Sequence, residues 1–265
     1  MPAYQHITWV GLAFALLFVA IVGVISYIQR LDLEKSLALG VIRTFVQLYA
    51  IGYVLVYILS SMQWWHVAIA IAVMLTVATH NTIHLQRIKV SGLTVPVAFS
   101  LLVGMGLPLL IIQSLIVVPV PWWSPQYLIP LAGMLLGNAM TGATLAVNRF
   151  VGDLRSRFAE VEASLALGLT PRQACHPLRH DAARAAMLPS ITAMMTVGLV
   201  QLPGMMSGQI IAGLAPTEAV RYQIMVMLML ACAVSIATFL LLELTIHTIF
   251  ARGALSQMKL FDARK

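Results

Sequence analysis

Few side chains in this 265-residue sequence are able to do chemistry, and they fall in three places. His80-Asn81-x-x-His84 sets two imidazoles four residues apart, which is one face of a helix. Glu243 and His247 repeat that spacing near the C-terminus. Imidazole suits iron, copper, zinc and nickel, so His80, His84, Glu243 and His247 form a candidate metal-ligating set, an inward-facing vestibule for a cation. The ordinary alternative is a group of polar residues at helix ends, snorkelling to water or pairing with each other. A second group is uncharged: Gln47, Asn138 and Thr141 in apolar surroundings, and the run Pro203, Gly204, Met205, Met206, Ser207, Gly208, Gln209. Proline frees a backbone carbonyl and kinks a helix, and an amide in hydrocarbon seeks a partner. These residues are candidates for a translocation path or gate. Close helix packing is the competing explanation, because Gly204-x-x-x-Gly208 and Gly133-x-x-x-Gly137 are small-xxx-small patterns. The third place is a charged stretch, residues 150–188. The sequence holds no convincing Ser-His-Asp set, no His-Glu-x-x-His and no Gly-x-x-x-x-Gly-Lys-Ser/Thr. A phosphate cradle needs that loop and its lysine, so any use of ATP is expected in a different chain. No catalytic or cofactor-binding residue is expected in this one.

The elements that must hold these residues follow from composition. Hydrophobic residues make up 60% of the chain, charged residues 9%, and the mean hydropathy is +0.92. Soluble domains carry about 25% charged residues, so a soluble enzyme is excluded. Disorder is excluded as well, being poor in apolar residues. A bilayer core of about 30 Å takes about 20 apolar residues per helix. Seven such stretches are expected, at 7–28, 39–59, 65–83, 95–117, 127–148, 189–214 and 222–245. They are solidly apolar and lack the alternation of barrel strands. The expected fold is an all-α integral membrane protein with one membrane domain over residues 1–265.

Orientation follows the positive-inside rule. Fifteen of the sixteen Lys and Arg residues fall on one side, Arg221 being the exception. The N-terminus is therefore expected outside, the C-terminus in the cytoplasm, and the chain in the cytoplasmic (inner) membrane. Trp9, Trp64, Trp65, Trp122 and Trp123 all map to the outer interface. The first span has no basic segment before it, so no cleaved signal peptide is expected. Cys175 and Cys232 suggest no disulfide. The net charge of +7 needs no nucleic-acid partner, since the asymmetry explains it.

Residues 150–188 form the expected cytoplasmic loop. Leu154, Phe158, Val161 and Leu165 recur as an amphipathic stripe. Gly168 offers a stop. Thr170, Pro171, Arg172 and Gln173 read as a fresh helix start with a capping box. The loop should be helix, sharp turn, helix. It would either lie on lipid headgroups or dock in a groove of a cytoplasmic partner, with Leu165, Leu167 and Leu169 as anchors.

Glu162-Ala163-Ser164-Leu165-Ala166-Leu167-Gly168 resembles the Glu-Ala-Ala-x-x-x-Gly signature of ABC transporter permeases, with Ser164 in place of the second alanine. Ala186-Met187-Leu188-Pro189 stands where that signature ends, at a longer spacing than in importers. The segments Gly133–Met140, Glu160–Gly168, Thr196–Gln209 and Glu218–Gln223 resemble the FetB-like permeases, linked to iron export in bacteria and aluminium tolerance in plants. The resemblance implies a coupling loop whose contact residues are Glu160, Glu162, Ala163, Leu165, Gly168, Leu169, Thr170, Pro171 and Arg172. It also implies a separate FetA-like ABC ATPase that binds ATP and Mg, and a symmetric pair of permeases with two ATPases. Iron as cargo and outward direction come from the resemblance alone. A gradient-driven secondary transporter with Glu243 and the histidines as relay is the alternative, and a membrane scaffold that recruits a partner is another.

Overall fold

The computed structural model describes residues 8–251 except 31, 33, 62 and 87, and leaves out the side chains of Trp9, Ser36 and Ala251. Of the residues that set the expected orientation, Arg87, Arg252, Lys259, Arg264 and Lys265 lie outside the described residues.

The chain divides into two compact units, Met1–Gln63 and Trp64–Lys265. The first is a helical hairpin of α1 (Trp9–Gln29) and α2 (Glu34–Ser61). Thr8 caps α1 by accepting from the Gly11 N–H at 3.2 Å. Arg30 ends the helix in a left-handed conformation, φ 52°. Across the turn the Ser26 hydroxyl donates to the Glu34 carboxylate at 2.7 Å. That bond holds the Glu34 carboxyl below its ordinary range. The outward faces of both helices are apolar and exposed, as a lipid-facing surface requires.

The second unit holds α3 (Trp64–His84), α4 (Thr94–Ile111), α5 (Pro125–Ser156), α6 (Phe158–Ala166), α7 (Pro171–Ala174), α8 (His176–Thr196), α9 (Gly204–Ile211) and α10 (Pro216–Ala251). A π-helical turn, Ile112–Ile116, closes α4. The core lies among α3, α4, α5, α8 and α10, with Leu101, Leu135, Phe150, Leu178 and Leu241 fully buried. Two glycines set how closely these helices approach. A Cβ on Gly104 would lie 2.7 Å from Ala237 Cβ, and one on Gly142 would lie 2.6 Å from Val234 Cγ1. So α4 and α5 press on α10 through positions where any side chain would collide. By contrast Gly137, Gly204 and Gly208 meet nothing within 4 Å, and Gly133 meets only Met74 Cε at 3.0 Å. Within the described chain the two expected glycine motifs do little packing.

α5 and α10 run in the same direction. Tyr222 lies beside Tyr127 near the starts of the two helices, and Gly142 faces Val234 further along. α3 also runs with α5: Gly133 meets Met74 near one end, and the Asn148 amide donates to the Leu85 carbonyl at 3.2 Å near the other. Trp64 and Trp65 therefore share an end of the unit with Trp122 and Trp123, and all four are partly or well exposed. This is the arrangement expected of an interfacial belt.

Among the described residues six helices are long and apolar enough to cross a membrane. The expected sixth span, 189–214, is not one helix. The first half of α8 carries Arg179, His180, Asp181 and Arg184, which leaves only residues 185–196 uncharged after them, or ~18 Å of helix. The helix stops at Thr196. Residues 197–203 form an irregular loop with Gly198 at φ 82° and one isolated bridge, Val197 to Gln201. α9 then adds eight residues. Pro203 is therefore the N-cap of α9 and not a mid-helix kink. Because α5 and α10 are parallel, the chain must return to the far end between them, and it does so in these pieces.

Candidate functional site

The charged loop folds as its sequence pattern requires. α6 buries Val161 and leaves Glu160, Glu162 and Ala163 exposed. Arg157 pairs with Glu160 at 2.6 Å, which holds the Glu160 carboxyl below its ordinary range. Gly168 takes φ 90°, a conformation that only glycine adopts without strain. Thr170 then caps α7: its hydroxyl accepts from the Gln173 N–H at 3.4 Å, and the Gln173 side chain accepts from the Thr170 N–H at 3.0 Å. Pro171 occupies the first turn. The tip between the two helices is apolar and open: Leu167 is 83% exposed and Leu169 41%. Leu165 is half-buried, and Thr170 and Arg172 are exposed.

The four candidate metal ligands are not brought together as one set. His80 and His84 share a face of α3, with ring centroids 6.0 Å apart, and both are exposed. His247 is exposed on α10. Glu243 is committed elsewhere. Its Oε1 accepts from Arg179 of α8 and, at 3.2 Å, from Arg172 of α7, while its Oε2 lies 3.2 Å from Arg172 Nε. Among the described residues no group of three or more His, Cys, Asp and Glu could hold a metal ion. Beside the Glu243 cluster a cleft of about 430 Å³ opens between Arg172, Gln173, His176, Pro177 and Arg179.

The uncharged candidates separate. Gln47 is exposed on α2. Asn138 and Thr141 share an exposed face of α5 with Gly137, and each satisfies itself on its own helix: Asn138 Nδ2 donates to the Met134 carbonyl, and the Thr141 hydroxyl to the Gly137 carbonyl, both at 2.9 Å. On α9, the Ser207 hydroxyl donates to the Pro203 carbonyl at 3.1 Å, Met205 and Met206 are half-buried, and Gly204 and Gly208 are open. Gln209 Oε1 is buried without a hydrogen-bond partner. Gln223 Oε1 on α10 is in the same condition.

Several functional or architectural residues carry no signal in the sequence. Arg179 looks like one more basic loop residue; its partner Glu243 is 64 positions away. Gly104 and Gly142 stand in no motif. Gln113, whose Nε2 donates to the Trp122 carbonyl at 3.0 Å, is a neutral amide inside a long charge-free run.

Comparison with known proteins supplies the wider context. The sequence profile described as "Uncharacterised protein family (UPF0014)" matches residues 9–250, nearly the whole chain. The chain belongs to UPF0014. Among its relatives, the "UPF0014 membrane protein slr1647" of Synechocystis is 38% identical over 79% of this chain and 81% of that one. The "Probable iron export permease protein FetB" of Escherichia coli is 36% identical over 91% of this chain and 92% of its own. The Arabidopsis thaliana "Protein ALUMINUM SENSITIVE 3" is 34% identical over 95% and 90%. No solved structure matches. UPF0014 membership and the six apolar helices together make this a multi-pass membrane protein of all-helical fold, as the composition requires.

Proposed function

We propose that this chain is the permease subunit of an ATP-driven ABC exporter, working with a separate ABC ATPase that binds ATP and Mg. The observation that carries this reading is the loop between α5 and α8. An apolar tip, Leu167-Gly168-Leu169, stands exposed between two helix termini, flanked by the charges of Glu160, Glu162 and Arg172. That is the form of a plug for a groove on a soluble partner. The loop leaves α5 and feeds α8 directly, so a push on the tip reaches two membrane elements. The basic side would face the cytoplasm, and residues 1–265 would act as one permease domain.

A pair of permeases is part of the reading. Asn138 and Thr141 present polar groups on an exposed face of a membrane helix, with glycine beside them. Small and polar residues of this kind favour a helix neighbour over lipid. A path between the two copies would use this face together with α9 and Gln209. Iron, or a related metal cation, is the cargo suggested by the name of the FetB relative.

The test is co-purification with a co-expressed ABC ATPase, followed by iron efflux from cells. Charged residues at Gly168 and Leu169 should weaken ATPase capture by ~10-fold or more, the loss of about 1.4 kcal/mol or more of contact. Full capture and full efflux by that double variant would refute the docking assignment.

A further inference from the structure

We propose that Glu243 is a positioning residue, the latch that ties the docking loop to the membrane helix α10 through Arg179 and Arg172. This rests on the coupling reading above and goes beyond it, because it names the bond through which the loop moves α10. Three helices meet at one carboxylate: α10 supplies Glu243, α8 supplies Arg179 and α7 supplies Arg172. Charge-assisted bonds to guanidinium are the stronger class of hydrogen bond. The Arg179 side chain is only 18% exposed and Glu243 33%, so the pair is shielded from water; Arg172 is 70% exposed. Both anchors are themselves fixed. Leu178 and Ala182 bury α8 around Arg179, and Leu241, Leu242 and Thr245 bury α10 around Glu243. The capping box at Thr170 stiffens the step from the apolar tip to Arg172. A displacement of the tip thus has two short routes to Glu243 and α10: through Arg172 of α7, and through the α7–α8 joint to Arg179.

The same geometry argues against Glu243 as a cargo ligand. A carboxylate between two guanidinium groups sits in a site of net positive charge, which repels a metal cation. The two arginines also differ. Arg179 is the shielded member and should carry most of the linkage, while Arg172, open to solvent beside the 430 Å³ cleft, should carry less.

Two measurements test the latch, and the first needs no ATPase. Cys175 is fully buried at the joint of α7 and α8, and burial pushes its thiol up to about 11, so it should react slowly with a maleimide. With Cys232→Ser as background, the full chain in lipid nanodiscs should show Cys175 labelling ~5-fold faster or more in Glu243→Ala, with Arg179→Ala close behind and Arg172→Ala weaker. The exchanged pair Glu243→Arg with Arg179→Glu should recover most of the protection, the signature of direct pairing. Unchanged labelling in Glu243→Ala, or an exchanged pair no better than its single variants, overturns the latch. The second measurement uses the complex with the ATPase. Glu243→Gln, which keeps shape and removes charge, should retain ATPase capture and hydrolysis within ~2-fold while iron efflux falls ~10-fold. Wild-type efflux in that variant also overturns the latch. Loss of ATPase capture by the wild-type chain would instead refute the coupling reading and leave the labelling result standing.

Discussion

At the residue scale, Glu243 shows how far local spacing reaches. Its four-residue interval from His247 is visible in the sequence and suggests a ligand pair, yet its bonds run to residues 64 and 71 positions away. Local spacing cannot carry information about partners brought close by a fold. The Thr170 box is the opposite case. Every bond in it lies within three residues, so it was legible in full. Thr170→Ala should remove about 1 kcal/mol of stability, read as a small drop in melting temperature, and should raise Cys175 labelling. Gln209 is legible only as an amide in an apolar stretch; that its Oε1 is buried without a partner is a property of the packed structure. An unpaired buried acceptor costs about 1–3 kcal/mol. Gln209→Leu should therefore leave melting unchanged or raise it. If the amide serves the path, iron efflux should fall in the same variant. A lower melting temperature with efflux intact would mark Gln209 as a packing residue.

At the element scale, five of the seven expected spans are plainly recovered by α1 to α5 and one by α10, with ends shifted or extended. Long apolar runs are what a membrane helix demands, and hydropathy finds them for that reason. The remaining stretch, 189–214, is equally apolar, and composition cannot tell a continuous helix from a broken one. The packing glycines were hidden for a related reason. A glycine matters only if another backbone approaches it, and the sequence shows the absence of a side chain without showing the neighbour. Gly104→Val makes the point testable. Its side chain would meet Ala237 Cβ and the Ala233 carbonyl, and overpacking of this kind costs about 1–3 kcal/mol. A clear fall in melting temperature is expected. The same change at Gly208, where nothing lies within 4 Å, should have little effect on the single chain. An equal loss at both positions would contradict the packing described for α4 and α10.

At the scale of the whole molecule, the distribution of charge is the property that sequence displays best. Ten of the 25 charged residues lie between Arg149 and Arg184, and that stretch is the one that leaves the membrane helices to form α6, α7 and the start of α8. What the sequence conceals is which exposed faces meet lipid and which meet another chain, because both are apolar overall. The Asn138–Thr141 face of α5 supplies a test. With both native cysteines replaced by serine, Asn138→Cys should form a disulfide-linked dimer in native membranes, and Phe18→Cys, on a face of α1 that is 73% exposed, should not. Equal cross-linking at the two sites would remove the case for pairing through α5. The interrupted return between α5 and α10 bears on how the chain is made. A bilayer accepts a helix because its backbone bonds are closed internally, and the loop at 197–203 leaves groups that lipid cannot satisfy. α8 and α9 thus have no stable transbilayer state until α10 is available to lie against them. α10 follows them in the chain and so leaves the ribosome after them. The return through α8 and α9 and the crossing by α10 are therefore a joint event, in which these three helices enter the membrane together. A chain truncated after Leu214 should leave a reporter at its end on the side of synthesis, and restoring Pro216–Ala251 should carry residues 212–215 across.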